Sequence, residues 1–388
     1  MAFALLAAPA GSQSPRAEPP FGGPIKPDRP LAQAYDKAAR ALADVDDNPV
    51  IHWAYRVWCE TGYRTTREAG PGQIIDRPRD LATDLISPKG FLDPADGRPM
   101  PAGGVRFMDN AWYFGTDVTG MVVVRTPDGL VMFDSLTTPD DMQGQLLDQM
   151  AKAGLDPREV KYIFMGHWHP DHIGGANLIR TKFAPLAKFV MGGPDADMVM
   201  KIRAGVKNGQ AMRFGPPIEA RTPAQIEARK QKWLLAIPDR IDIRIGAYPG
   251  SLNGAQRIRV GPKTEVFAML TPGHTDGQMT MIVPVVHGGS THKLLVWSGN
   301  DRIERAADYA ISSDFVAAMA LREGADAFIN THAYQGAVFS HLRRLKADPQ
   351  APNPLLMGVE GVQRYAGVFA ACQRAEAQRL KDGTWKAL

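Results

Sequence analysis

Cysteine is nearly missing from this chain: two residues, Cys59 and Cys372, in 388. That excludes a small fold stapled by several disulfides and a metal module built on cysteine pairs. The two thiols lie near opposite ends. They either form one long-range bridge or stay apart as buried thiols, and the alanine-rich helical pattern around Cys372 suits the second. Long apolar runs are also missing. None reaches the roughly 18 residues needed to cross a bilayer, so no membrane span is expected. A strong charge of one sign is absent too, with 45 Lys+Arg against 41 Asp+Glu and a net charge of +4. The densest basic stretch, Arg229–Lys232 with Arg221 and Lys207 nearby, reads as a solvated helix face, so no nucleic-acid partner is expected. Hydrophobic content of 44% and charged content of 22% suit a globular chain with a sizeable core.

Residues 1–30 open with a short apolar run, Ala2–Ala8, that has no basic lead. They end in the Pro/Gly-rich EPPFGGPIKPDRP. The segment reads as a disordered tail or as the remnant of a signal peptide with a linker, and periplasmic or secreted and cytoplasmic locations stand level. An extension follows over 31–104. Leu31, Ala34, Tyr35, Ala38, Leu42 and Val45 repeat with a helical period. The aromatic-rich IHWAYRVWC (51–59) is expected to pack on the main domain, or to join two copies in a homo-oligomer.

From residue 105 onward strands and helices interleave. Met121–Arg125, the turn at 127–129 and Leu130–Phe133 predict a hairpin. Asp140–Ala153 predicts a helix stopped by Gly154. Strands are expected at Val160–Met165, Lys188–Met191, Ile241–Ile245, Arg257–Val260, Val266–Leu270, Met279–Val286, Lys293–Trp297 and Ala327–Asn330. Helices are expected at Gly175–Lys182, Phe315–Leu321 and Gly361–Lys381. The stretch of about 193–250, long and polar, reads as a partly helical insertion. A sheet-on-sheet core flanked by helices is the natural class.

The most informative stretch is MGHWHPDHIGGA (165–176). His167 and His169 leave a strand end on the same side, because strand side chains alternate. Pro170 keeps His169 extended. Asp171 and His172 then sit in a turn. Four ligands pointing two ways from one loop suit two adjacent metal ions better than one tetrahedral ion. Three later segments repeat the pattern of apolar strand, turn and ligand type: His274 in LTPGHTDGQ, Asp301 in VWSGND and His332 in INTHAY. Imidazole nitrogen and carboxylate oxygen favour zinc, with iron and manganese as the alternatives. Asp134, at a strand end, is a candidate for orienting an imidazole, or for capping local amides. Tyr334 is read as a packed aromatic, or as a donor to an oxyanion.

The HWHPDH segment, with the later GHT, SGND and NTH segments, resembles the metallo-β-lactamase superfamily from about Trp112 to the C-terminus. The resemblance implies an α/β fold, an αββα sandwich of two mixed sheets flanked by helices, here with an N-terminal helical extension. It implies a catalytic domain over 105–388. It implies that His167, His169 and His274 hold a first Zn2+, and that Asp171, His172 and His332 hold a second. Asp301, or Asn300 beside it, matches the bridging aspartate of lactonases and glyoxalase-type members. The ligand set is most like the lactamase subclass with an all-His first site and an Asp/His/His second site. The implied activity is hydrolysis of a small molecule. A metal-bound hydroxide, oriented by Asp171 as the catalytic carboxylate, would open a cyclic amide or ester of β-lactam or lactone type. The alternative is a lyase, or a thioester or ester hydrolase of the same superfamily, acting on a small catabolic metabolite.

Overall fold

A computed structural model describes residues 23–24, 26–59, 104–115, 119–136, 147–209, 222–299, 303–332 and 351–386, with single positions at 139, 341 and 348. A short strand, β1 (Gly23–Pro24), precedes two helices, α1 (Pro30–Ala43) and α2 (Pro49–Cys59). Seven strands then form the first sheet in simple sequence order: β2 (Val105–Met108), β3 (Ala111–Gly115), β4 (Gly120–Thr126), β5 (Gly129–Phe133), β6 (Val160–Phe164), β7 (Lys188–Gly192) and β8 (Ile243–Ile245). The first four pair antiparallel. From β5 onward every pairing is parallel.

Parallel neighbours need a crossover, and helices supply it. They are α3 (Leu147–Lys152) before β6, α4 (Pro170–Ile173) and α5 (Ala176–Lys182) before β7, and α6 (Gly193–Lys207) and α7 (Pro223–Ala236) before β8. Strands covered on both faces read as unbroken apolar runs. Ile163 and Phe164 of β6 and Phe189, Val190 and Met191 of β7 are all fully buried.

The second sheet has the order β13-β12-β11-β10-β9. Its members are β9 (Gly254–Arg259), β10 (Glu265–Leu270), β11 (Met279–His287), β12 (Ser290–Trp297) and β13 (Ala327–Asn330). All pairs are antiparallel except β12 with β13. Helix α8 (Ala306–Glu323) joins β12 to β13, and α9 (Gly358–Asp382) packs on α8, α1 and α2. Buried residues of both sheets and of the helices form one continuous cluster. Two mixed sheets with flanking helices form the expected sandwich.

This topology decides where functional side chains can meet. β5, β6 and β7 run parallel, so their C-terminal ends lie along one edge of the first sheet. In the second sheet β10 and β12 are both antiparallel to β11, and β13 follows β12, so these three also end on one edge. A hydrogen bond from Met279 N to Gly166 O ties the two edges together at 2.7 Å.

Strands β2 and β3 were not anticipated. Two short runs separated by Asp109 and Asn110 are too brief to show a clear alternation, and Asn110 ties the turn between them to β4 by donating to Arg125 O. Among the described residues, no helix is long and apolar enough to cross a membrane.

Candidate metal centre

Every candidate side chain in the described residues comes from a strand's C-terminal end. Asp134 follows β5, His167 to His172 follow β6, His274 follows β10 and His332 follows β13. Gly166 permits the approach: a Cβ there would lie 1.9 Å from Ser298 Oγ. His169 is extended (φ −62°, ψ 148°) and caps the short helix α4, as the proline after it requires.

The imidazoles converge. The His167 ring centroid is 3.8 Å from that of His172, 4.5 Å from His274, 4.8 Å from His169 and 6.3 Å from His332. His274 Nε2 faces His169 Nδ1 at 2.8 Å, and His172 Nε2 faces His332 Nε2 at 3.1 Å. Asp171 Oδ2 is 3.2 Å from His172 Nε2. Ligand atoms of His167, His169 and His274 lie within 4.8 Å of one another, and so do those of His167, His172 and His332.

A hydrogen-bond chain settles which nitrogens carry protons. Asp134 Oδ2 accepts from His172 Nδ1 at 2.7 Å and from the Ser298 hydroxyl at 3.0 Å. Since the Ser298 hydroxyl donates to Asp134, its oxygen accepts from His167 Nδ1 at 3.3 Å. Both imidazoles thus carry a proton on Nδ1 and turn Nε2 inward, and on His167, which is neutral, that Nε2 bears a lone pair. His167 Nε2 is fully buried and has no hydrogen-bond partner. A buried nitrogen without a partner, aimed among four other imidazoles, is what a metal ligand looks like without its ion.

Asp134 also accepts from Gly166 N at 2.6 Å, so it fills both roles open to it in the sequence: it orients an imidazole and caps a local amide. Its backbone is left-handed (φ 62°), as is that of Leu136 (φ 61°). Strain of this kind concentrates at functional sites.

The electrostatics fit a cation. Burial, followed by repulsion from the neighbouring imidazoles, holds His167 and His274 well below the usual histidine range, so both are neutral with lone pairs free to bind. His172 behaves in the opposite way. Burial lowers it, but Asp171 and Asp134 outweigh burial and push it up to about 10. Asp171 is held low: burial raises it, and His172 more than offsets that. A position that binds a proton this strongly also favours another cation. Neutral nitrogens with carboxylates beside them form a donor set that fits zinc.

Two predicted residues, Asp301 and Tyr334, lie outside the described residues, as does Asn300. Three contributors were missed. Ser298 sits inside the SGND segment already noted. Gln278 accepts from His274 N at 3.0 Å and donates to Tyr309 Oη. Asp195 follows β7 through Gly-Gly-Pro, the same strand–turn–ligand order as the other segments, and that order was the signal that could have found it. Of the histidines outside this centre, His52 bonds Asp46 O and His292 bonds Asp326.

Comparison with known proteins agrees with this picture. The family model described as "Metallo-beta-lactamase superfamily" matches residues 115–308, half of the chain. Among solved structures, a metallo-β-lactamase from Cronobacter sakazakii carrying the "HARLDQ motif" superposes with a TM-score of 0.51 at 17% identity, over 74% of this chain and 96% of that one. MIM-1 from Novosphingobium pentaromativorans gives a TM-score of 0.51 at 17% identity, over 73% and 92%. MEM-A1, a subclass B3 metallo-β-lactamase from a soil metagenome library, gives 0.50 at 17% identity, over 72% and 97%. At such identities the likeness is one of fold. With the family match and the cluster of inward-facing imidazoles together, the chain belongs to the metallo-β-lactamase superfamily and is a metal-dependent hydrolase.

Proposed function

We propose that the chain is a dinuclear zinc hydrolase that opens a cyclic amide or ester, of β-lactam or lactone type. The observation that carries the reading is the unpartnered, fully buried His167 Nε2, set among imidazoles from three loops. His167, His169 and His274 would hold one zinc ion. Asp171, His172 and His332 would hold the other, and Asp301 is proposed as a further ligand. When bound, zinc supplies a water acidic enough to ionise near neutral pH and a Lewis acid for an acyl oxygen.

The chain's own residues supply orientation and proton handling. Asp134 and Ser298 lock the tautomers of His172 and His167, so that no ring has to rotate before it can bind. Asp171 has 31% of its side chain open, whereas His172 beside it is fully buried, so the carboxylate can meet a substrate. Its carboxylate accepts a proton from the attacking water and returns it to the leaving nitrogen or oxygen. No serine or cysteine nucleophile is needed. The extension over 31–104 and the segment of about 193–250 are proposed to shape the approach to the site and to pack on the 105–388 catalytic domain.

Metal analysis of the purified protein should give about two zinc ions per chain. A chromogenic cephalosporin tested beside panels of lactones and thioesters should show turnover that a chelator abolishes and zinc restores. His169→Ala and Asp171→Ala should each lose hydrolysis while keeping the wild-type circular dichroism. The proposal fails if zinc-loaded protein turns over neither cyclic amides nor cyclic esters, or if the metal-free Asp171→Ala variant is fully active.

A further inference from the structure

One buried carboxylate lies outside the ligand set and yet touches two ligand loops. Asp195 stands in the first turn of α6 and is 2% exposed. Its Oδ2 accepts from Trp168 N at 3.0 Å and from Thr275 Oγ1 at 2.6 Å. Its Oδ1 accepts from Gly277 N at 2.8 Å. Trp168 lies between His167 and His169, and Thr275 follows His274. A single side chain therefore joins the loop after β6, in the first sheet, to the loop after β10, in the second.

We infer that Asp195 is a positioning residue: it clamps the two loops that carry His167, His169 and His274 at the one spacing that lets those three close on an ion. The inference rests on the metal-binding reading above. Three features support it. The first is the chemistry of the partners. All three are donors, so the group needs two acceptor oxygens and no donor, which only a carboxylate provides. The second is the fit: a Cβ at Gly277 would lie 2.4 Å from Asp195 N and 2.6 Å from Asp195 Cβ, so the loop can sit against the carboxylate only with glycine there. The third is cost. Among the described residues, no lysine, arginine or histidine pairs with Asp195. Burial raises its pKa to about 6, partly offset by the bonds from Thr275, Gly277 and Trp168. A buried carboxylate without a cationic partner is expensive, and hydrophobic packing alone would join the loops more cheaply. What packing cannot do is fix two backbones in register through directional bonds.

Asp195→Asn tests this directly. The amide has one acceptor oxygen, so whichever way it turns, either Trp168 N or Gly277 N faces an NH2 group. Zinc release from the loaded protein into excess chelator should speed up about tenfold, as expected for loss of an outer support. Asp195→Ala should release faster still. Thr275→Val, which keeps side-chain volume and removes one bond, should show a smaller acceleration in the same direction. Asp197→Asn, on the same helix with 72% of its side chain exposed, should match wild type.

A merely structural role would lower the melting temperature and leave the release rate, measured well below melting, unchanged. The inference is overturned if Asp195→Asn releases zinc within twofold of wild type. If that variant does not fold, the same result with Thr275→Val overturns it. Should the wild-type protein bind no metal at all, the proposed function fails instead. Amide exchange at Trp168 and Gly277 in the metal-free chain then still reads the clamp: faster exchange in Asp195→Asn supports it, and unchanged exchange overturns it.

Discussion

Asp134 shows how much chemistry one residue can hold in place. Three donors meet on its two oxygens: Gly166 N, His172 Nδ1 and the Ser298 hydroxyl. Its left-handed backbone (φ 62°) is one that asparagine also tolerates. Asp134→Asn should therefore leave the turn intact and isolate the effect of the lost acceptor. The carboxamide offers one acceptor oxygen: turned one way its NH2 faces His172 Nδ1 and Ser298, turned the other way it faces Gly166 N, so either the imidazole or the backbone of its loop loses a bond. On the proposed function, zinc affinity should fall roughly 10- to 100-fold, most at the proposed Asp171, His172 and His332 site. Competition against a fluorescent chelator measures this, and wild-type affinity would refute it.

At the scale of elements, the strands that deliver the candidate side chains were legible because each is an apolar run cut off by Pro, Gly or Asn, with a ligand type just beyond. β6, β10 and β13 show it, and β7 before Asp195 carries the same signal, unused in the sequence reading. Convergence was not legible. It depends on which strands run parallel, and pairs such as β12 with β13 are set by packing across distant sequence. The same holds for contacts between α8 and the second sheet. Glu323, in the last turn of α8, accepts from Arg257 Nη2 of β9 on both carboxylate oxygens, at 2.8 and 2.6 Å, and from Arg322. Its side chain is 5% exposed. Burial would raise its pKa, but Arg257 and Arg322 prevail and hold it below the usual glutamate value. A carboxylate depressed in the folded state stabilises above its unfolded pKa of about 4.3 and loses that stabilisation as pH falls through the folded value. Glu323→Gln should cost about 2 kcal/mol at pH 7. The gap to wild type should close below pH 4, as wild-type Glu323 takes up its proton. Denaturant melts at pH 7 and pH 3.5 read both values, and a gap that is equal at the two pH values would contradict the assignment.

For the whole molecule, the decisive contact is between segments far apart in sequence. Cys59 of α2 and Cys372 of α9 form a disulfide with a Cα–Cα distance of 5.1 Å across 313 positions. The sequence left the pairing open, because two cysteines that far apart share no local signal. Other contacts run along the same seam. Trp58 meets Phe369 edge-on at 4.5 Å between ring centroids, Arg379 pairs with Asp28 and Asp36, and Arg364 pairs with Asp46. Trp58 of the aromatic-rich 51–59 thus packs against the last helix, which in turn lies on α8. A crosslink over so long a loop acts mainly by restricting the unfolded chain, worth about 2–4 kcal/mol. The double variant Cys59→Ser/Cys372→Ser should therefore melt several degrees lower and become open to proteolysis first in α1 and α2. Below its melting range it should keep the wild-type metal content, because neither crosslinked helix carries one of the proposed metal ligands. The bridge also forms only where thiols are oxidised. Protein made in a reducing cytoplasm should show two titratable thiols after unfolding and melt like the double variant, whereas protein from an oxidising compartment should show none. Equal melting temperatures for the bridged and reduced forms would mean that the ion pairs and aromatic contacts hold the seam without the disulfide.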